Sequence, residues 1–318
     1  MASRSITVGI LGKNSEWILR YSTKSIRAAL GYIREKGVNS VEVLYVDGGS
    51  KDSSIEVVRD ALGNAVRVVD ASGTNIPEAR NIVVKESSGD YIVYWDSDIL
   101  APRYILAKLL DVDKPIVAPE RYDVYVESDA EIEALLRKVE EAKSSSTVKE
   151  VPFVVFSITL FKREVFDRVG LFDERMTQAE DRDFGIRARC KGYKSYITSD
   201  VVYDVNRRIK SDVPITTPLR QYMRGILKKA AIYAYTPSPR QKRNTALFGA
   251  LHIAAAASLF TTPLFAIGEV LPLLYMAYKY GLSKGGEMWL KSLALYTLMA
   301  LMTPYVRFRN ICKVLEEL

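Results

Sequence analysis

The chain has 318 residues, 48% hydrophobic and 26% charged, a balance that supports one sizeable core plus something smaller and excludes a disordered chain or a polytopic transporter. Its net charge of +7 is unevenly spread: residues 201–318 hold 16 Lys and Arg against 6 Asp and Glu, a net of +10, whereas residues 1–200 are net −3. Two cysteines without ligand spacing, Cys190 and Cys312, and one histidine, His252, inside an apolar run argue against a disulfide framework, a zinc site and a Ser-His-Asp or His-metal mechanism.

From residue 5 to about 120 the pattern alternates between strand and helix. Ile6–Leu11 is a short apolar run ending at Gly12, and Glu16–Lys36 is an amphipathic helix stopped by Gly37. Val41–Val46 is a second strand, followed by the turn-forming cluster Asp47-Gly48-Gly49-Ser50. Ser53–Leu62 reads as a helix, Val66–Val69 as a third strand, and Ile76–Glu86 as a helix capped by Thr74 or Asn75 with Pro77 in its first turn. Tyr91–Trp95 is a fourth strand running into Asp96-Ser97-Asp98, and Pro102 opens another helix. This order predicts an α/β fold, Rossmann-like, with a mostly parallel sheet and helices on both faces. Ligands of such sheets bind beyond the carboxyl ends of the strands, where the polar clusters after strands one, two and four fall. Residues 129–143 read as a charged helix, Pro152–Phe161 as strand-like, and Gln178–Lys191 as a helix stopped at Gly192.

Beyond residue 205 the character changes. In Leu219–Tyr235, Leu219, Met223, Ile226, Leu227 and Ala230 share one side, with Arg220, Arg224 and Lys228 more polar. That is a basic amphipathic helix lying on a membrane interface, or an ordinary surface helix packed on the domain. Ala246–Ile267 is 22 residues without formal charge, long enough to cross a bilayer, and Ser292–Val306 is a shorter candidate. Basic flanks on both sides of this region place both ends in the cytoplasm, which suits a two-span hairpin; Glu269 and Pro272 favour buried or interfacial helices instead. The apolar runs make an anionic membrane, rather than nucleic acid, the expected partner of the basic third. Met1–Lys13 lacks a signal-peptide apolar region, so the N-terminal domain is expected at the cytoplasmic face of the cell membrane. The expected organisation is a catalytic domain over 1–210, a basic linker with its interface helix over 211–243, and a membrane hairpin or membrane-associated helices over 244–318.

Asp96-Ser97-Asp98 is the first chemical cluster. Two carboxylates one residue apart at a strand end can grip a hard divalent cation such as Mg²⁺ or Mn²⁺, although isolated triplets of this kind are usually solvated loop carboxylates. Its context is an ordered set: Val46-Asp47-Gly48-Gly49-Ser50-Lys51-Asp52-Ser53, Asn75-Ile76-Pro77-Glu78-Ala79-Arg80-Asn81, Ser88-Gly89-Asp90-Tyr91, Gly170-Leu171-Phe172-Asp173-Glu174 and Ala179-Glu180-Asp181-Arg182-Asp183. In that order and spacing, residues 5 to 200 resemble the family 2 glycosyltransferases of the GT-A fold, of archaeal or bacterial membrane-anchored type.

The resemblance implies an inverting, metal-dependent transferase that uses a UDP-, GDP- or dTDP-sugar with Mg²⁺ or Mn²⁺. It implies that Asp47 reads the base beside Gly48, that Gly12 and Asn14 belong to the donor site, and that Arg80 faces the nucleotide. It further implies that Asp98 holds the metal with Asp96 near metal or ribose, and that Asp181 is the general base positioned by Glu180. Each has a plainer alternative: Asp47 caps its turn, Arg80 pairs with an aspartate, and Glu180 and Asp181 sit where a helix dipole favours carboxylates. Asp183 and Arg187, four apart, suit a structural pair. Gln221-Tyr222-Met223-Arg224 faintly resembles an acceptor-side motif of processive relatives, with Gly225 in place of Trp. Arg207, Arg208 and Arg224 then face diphosphate, a lipid phosphate or anionic head groups. A Glu-Asp pair suits a hydroxyl acceptor on a lipid-linked glycan or glycolipid, because a hydroxyl needs a base. The alternatives are a polyprenyl-phosphate glycosyltransferase and an inactive nucleotide-sugar-binding membrane module.

Overall fold

A computed structural model describes residues 4–144, 147–176, 178–207, 219–249 and 282–318, with positions 274, 277, 278 and 280 between the last two segments. The chain divides into two compact units, the first Met1–Glu174 with Phe184–Arg208 and the second Arg175–Asp183 with Ile209–Leu318.

The first unit opens as the sequence predicts: β1 (Ser5–Gly12), α1 (Glu16–Glu35), β2 (Ser40–Asp47), α2 (Ser54–Leu62), β3 (Val66–Asp70), α3 (Ile76–Glu86) and β4 (Tyr91–Asp96). Asn75 caps α3 through a capping box with Glu78, and Pro77 stands in the first turn. Next come β5 (Ile99–Leu100), α4 (Ile105–Val112), β6 (Ile116–Val126), α5 (Asp129–Glu141), β7 (Val148–Val151), β8 (Ile158–Lys162), α6 (Arg163–Val169), α7 (Glu180–Cys190) and β9 (Ser195–Arg207).

The nine strands form one sheet in the order β3-β2-β1-β4-β8-β6-β9-β5, with β7 against β9. β3, β2, β1 and β4 are parallel, but β8 runs antiparallel to both β4 and β6, and β5 and β7 run antiparallel to β9. The expected mostly parallel sheet is therefore corrected to a mixed one. Its second half is built on β6 and β9, a parallel pair of 11 and 13 residues that the apolar pattern does not disclose. Pro152–Phe161 is likewise not one strand. Pro152 brings no N–H to a ladder, and pairing stops at Val151 and resumes at Ile158.

The strands nearest the site are apolar on both faces because helices cover both. Ile6, Val8, Ile10, Val43, Tyr45, Val93 and Trp95 pack with α1, α2 and α4 residues such as Leu19, Ile26, Val58 and Leu106. Leu44, Val46, Ile92 and Tyr94 pack on the other side with Val83, Val165, Phe166, Phe184 and Ala188. That second core is strongly aromatic, with Phe172 and Phe184 stacked at 4.5 Å and Tyr94 edge-on to Phe172 at 5.8 Å.

Ser88-Gly89-Asp90 is a seam that locks the start of β4 to β1 and β2. Ser88 donates to Glu42, the Gly89 N–H donates to the Thr7 hydroxyl at 3.0 Å, and the Asp90 N–H donates to Ser5. A β-carbon on Gly89 would lie 2.7 Å from the Thr7 nitrogen and 2.8 Å from the Ile6 carbonyl carbon, backbone atoms that cannot step aside. Gly89→Ala is expected to cost about 1–3 kcal/mol, read as a lower midpoint in denaturant; an unchanged midpoint would show that the seam can open.

The described helices of the second unit are α8 (Leu219–Met223), α9 (Ile226–Tyr235), α10 (Pro239–Asn244), α11 (Leu282–Phe308) and α12 (Ile311–Glu317), besides the first turn of α7. The expected single helix over Leu219–Tyr235 breaks at Gly225, which takes a left-handed conformation with φ of 61°. Its expected polarity holds only in part: Arg220 and Arg224 are exposed and Ala230 is buried, but Lys228 is 6% exposed and Leu227 46% exposed. Lys228 turns inward to pair with the buried Asp183 at 2.9 Å. Ser292–Val306 lies inside α11, a 27-residue helix that buries Leu295 and Met299 against Ala230 of α9. Among the described residues no helix is long and apolar enough to cross a membrane, so that candidate span is corrected. Residues 250–267 of the other candidate lie outside the described residues. Neither Cys190 nor Cys312 is a free thiol, which a sequence without a disulfide framework does not lead one to expect.

Candidate active site

At the carboxyl ends of β1, β2 and β4 a cleft of about 350 Å³ opens, lined by Gly12, Lys13, Gly48, Thr74, Arg80, Asp96, Asp98 and Asp204 among others. Parallel strands put three successive loops at this edge, and hydrogen bonds knit those loops together. The Gly48 N–H donates to the Gly12 carbonyl at 2.9 Å and the Ser97 N–H to the Leu11 carbonyl at 2.9 Å. The Ser97 hydroxyl reaches Ser15 at 2.9 Å, and Ser22 of α1 donates to the Ser97 carbonyl at 2.7 Å. Ser97 is thus the buried rivet that leaves Asp96 and Asp98 facing the cleft. Gly12 is closely packed: a β-carbon there would stand 2.6 Å from the Tyr45 hydroxyl and 3.2 Å from Ser97. We expect Gly12→Ala to weaken nucleotide-sugar binding at least tenfold while the fold persists, because it pushes directly on the Asp96–Asp98 loop. Titration calorimetry checks this, and unchanged affinity would show that the donor does not approach Gly12.

The carboxylates are crowded. Burial pushes the Asp98 carboxyl up to about 7, helped by Asp96 and Asp204 and opposed by Arg121. Burial also raises Asp204, against the pull of Arg121, whose guanidinium lies 3.2 Å away. Asp204 and Arg121 were not expected from the sequence. β9 carries Asp204 opposite Ile99 of β5 and opposite Asp123 of β6, and the Val205 N–H donates to the Asp98 carbonyl at 3.0 Å. The one available signal was an aspartate within an otherwise apolar, β-branched run. Arg121 also reaches Asp123 at 3.0 Å, so β6 brings a cation to the edge of an acidic cleft.

The other expected donor residues divide. Arg80 is 5% exposed, lines the cleft and lies 4.7 Å from the Phe156 ring. Asp47 is 4% exposed, and its carboxylate accepts from the Gly49 and Ser50 N–H groups at 3.0 and 2.8 Å and from the Ser50 hydroxyl. That is the turn-capping role, although its neighbours Val46 and Gly48 do line the cleft. Asn14 does not line it. Its N–H donates to Ser50 and its side-chain oxygen accepts from the Lys51 N–H at 2.8 Å, so Asn14 is a staple between loops, in a left-handed conformation with φ of 50°. Arg207 is not among the residues that line the cleft and lies 4.6 Å from the Trp17 ring. Arg208 is outside the described residues.

Glu180 and Asp181 belong to the second unit, in the first turn of α7 behind Ala179, whose φ is 62°. A cradle from α9 and the turn after it holds this stretch. Asp183 is fully buried and paired with Lys228 at 2.9 Å. Arg182 donates to the Thr236 carbonyl at 3.0 Å and lies 5.2 Å from the Tyr233 ring. Asp181 accepts from the Arg182 N–H at 2.7 Å. Asp183 thus bonds to Lys228 of α9, and Arg187 donates to the Val169 and Leu171 carbonyls. Arg224 is exposed in the turn between α8 and α9.

Residues 8–170 match the family described as glycosyl transferase family 2. Comparison with curated proteins gives no match. Among solved structures, the mannosyltransferase PcManGT of Pyrobaculum calidifontis, in complex with GDP-mannose and Mn²⁺, is similar with a TM-score of 0.51 and 20% identity, over 96% of this chain and 88% of that one. TarS 1–349 of S. aureus, in complex with UDP-GlcNAc, is similar at 0.52 and 16% identity, over 96% and 93%. GalNAc-T7 with UDP, GalNAc and Mn²⁺ gives 0.53 and 16% identity over 74% of this chain, which spans about half, 51%, of that protein. Likeness at these identities shows the fold.

Proposed function

The chain belongs to glycosyltransferase family 2 and has a GT-A-like α/β fold, and from that membership and its cleft we propose that it is an inverting transferase. It moves a sugar from a nucleoside-diphosphate sugar to a hydroxyl of a membrane-associated acceptor, a lipid-linked glycan or glycolipid. The observation that carries the reading is the Asp96-Ser97-Asp98 loop, fixed by Ser97 and opening with Arg80, Gly12 and Gly48 into one cleft at the carboxyl edge of parallel strands.

The residues fit a hard divalent cation. Their ligands are carboxylate oxygens, and burial, with crowding by Asp96 and Asp204, pushes Asp98 up to about 7, a penalty that a bound cation would offset. Among the described residues no three Asp, Glu, His or Cys side chains suffice to hold a metal, which suits a Mg²⁺ or Mn²⁺ shell completed by donor phosphates. Asp98 and Asp96 would hold the ion, which when bound neutralises charge on the diphosphate. The chain's own groups do the rest. Lys13 and Arg80 supply cations beside the diphosphate, the Gly12 and Gly48 backbones admit the nucleotide, and Arg121 adds charge at the edge. Asp181 accepts the proton of the attacking acceptor hydroxyl as its oxygen bonds to the anomeric carbon and the nucleoside diphosphate leaves from the opposite face. Glu180 orients Asp181 or the acceptor.

A membrane-presented acceptor is supported by the net charge of +10 over residues 201–318 and by apolar side chains on the exterior of the second unit. Leu227, Leu290, Leu301 and Phe308 are 46%, 42%, 57% and 87% exposed, and a cationic, apolar exterior suits an anionic bilayer surface. On this reading the catalytic domain works at the cytoplasmic face of the cell membrane. The test is nucleotide release by the full chain from UDP-, GDP- and dTDP-sugars with Mn²⁺ or Mg²⁺, with and without membrane lipid extract. Cation-dependent, lipid-stimulated release is expected. Release that ignores the cation would overturn the metal role, and release that ignores lipid would overturn the membrane acceptor.

A further inference from the structure

The first unit holds a chamber larger than the candidate cleft, about 570 Å³, and the two share no lining residue. It lies among α1, the turn from β5 into α4, and the end of α5 with the residues that follow it. Its floor is built of the buried side chains Ser25, Ala101 and Leu136. Its rim carries three exposed cations, Lys24, Arg103 and Lys143, one from each of these places in the fold. Tyr32 and Tyr104, half-buried, also line it. A largely apolar floor ringed by a few polar groups, in a volume of about 300–1,000 Å³, is the build of a small-molecule site.

The three cations are held without being neutralised. Among the described residues none of them forms an ion pair. The Arg103 guanidinium lies 5.4 Å from the centre of the Tyr32 ring and the Lys24 ammonium 5.5 Å from that of Tyr21, contacts that steady a cation while leaving its charge uncancelled. Glu140 is the one carboxylate of the lining, so the chamber is net +2 within a stretch, residues 1–200, that is net −3. Ser25 adds an unmet polar group. It is 3% exposed, and its hydroxyl has no hydrogen-bond partner among the described residues. Two positions earlier on α1, Thr23 returns its hydroxyl to the Leu19 carbonyl, the usual way a helix satisfies such a group. The chamber lining thus includes a buried hydroxyl whose partner the described chain does not supply.

We propose that this chamber is a second ligand site, for an organic phosphate monoester. Such a group carries about two negative charges at neutral pH, which matches the excess of the lining, whereas a carboxylate or a phosphodiester carries one. A guanidinium and two ammoniums from three parts of the fold meet the phosphate oxygens, and the tyrosines with the apolar floor take the ring of the sugar or base. A neighbouring hollow of about 470 Å³ shares Lys24, Tyr32 and Arg103 and adds Arg27, which gives the body of the ester room to extend. Binding there calls for neither the divalent cation nor Asp181, so it stands apart from the transferase reading.

The experiment is titration calorimetry of the full chain in EDTA with UMP, glucose 1-phosphate and inorganic phosphate, on wild type, R103M, K143M and G12A. At least one ester is expected to bind one to one and about tenfold or more tighter than inorganic phosphate, because its ring is buried as well. The tighter ester tells whether the body is a nucleoside or a sugar. R103M and K143M should each weaken that binding about tenfold or more with Tm unchanged, since both side chains are exposed. G12A, which acts on the other cleft, should leave it as it is. Amine acetylation of wild type, read by mass spectrometry, places the ligand without any variant: the bound ester should shield Lys24 and Lys143 and leave Lys13 of the cleft reactive. No binding by either ester, binding that survives R103M and K143M, or binding lost in G12A would overturn the proposal. So would shielding of Lys13 in place of Lys24 and Lys143, or inorganic phosphate bound as tightly as the esters.

Discussion

Asp98→Ala should reduce cation-dependent nucleotide release by about 10³-fold and leave the protein as stable as wild type or more so. The two halves of this expectation come from the same geometry. Asp98 is half-buried beside Asp96 and Asp204 in an acidic cleft, and burial and those neighbours push its carboxyl up to about 7. Without a cation, one of three crowded carboxylates is a liability, so its removal does not unfold the chain. With the cation, loss of that oxygen ligand removes the charge that balances the departing diphosphate. A fold-critical role predicts the opposite pattern, a fall in Tm with the loss of activity. Parallel melting curves and release assays separate the two. A variant that keeps rate and cation dependence would place the metal elsewhere.

Asp181→Asn should lower kcat about 10²–10⁴-fold, with nucleotide-sugar affinity and cation dependence unchanged. Asparagine retains the shape and the hydrogen bond from the Arg182 N–H but cannot take a proton at neutral pH. The cradle is unaffected, because Asp183 with Lys228 and Arg182 with Thr236 hold the start of α7 independently. The acceptor chemistry follows from the result. A hydroxyl acceptor needs the base, whereas a polyprenyl phosphate is already an anion. Full turnover of Asp181→Asn with a polyprenyl phosphate, together with loss in Asp98→Ala, would move the assignment to that class.

The first half of the fold and the Asp96-Ser97-Asp98 loop were legible because both are local. β1, β2 and β4 are apolar runs bounded by turn residues, and each ends at the cleft. Asp96 and Asp98 stand two positions apart in sequence and need no distant partner to be found. The second half was not legible, because β6 and β9 mix buried and polar residues without a regular alternation and are defined by each other. Asp204 and Arg121 meet only through that pairing. Asp47 and Asn14 stand in recognisable motifs, but their side chains build the loops instead of lining the cleft. The burial of Lys228 in α9 has a related cause. Helical periodicity finds two faces and assumes that the charged one is wet. Here Asp183, 45 positions before Lys228, turns that lysine inward, and no local pattern contains that information.

The most direct measurement is calorimetric binding of UDP-, GDP- and dTDP-sugars to the full chain, with Mn²⁺ or with EDTA, in wild type and Asp98→Ala. The account predicts that one nucleotide class binds with Mn²⁺, and that its affinity falls at least tenfold with EDTA and in Asp98→Ala alike. Binding of equal strength in all three conditions, or none by any nucleotide sugar with Mn²⁺, would contradict it.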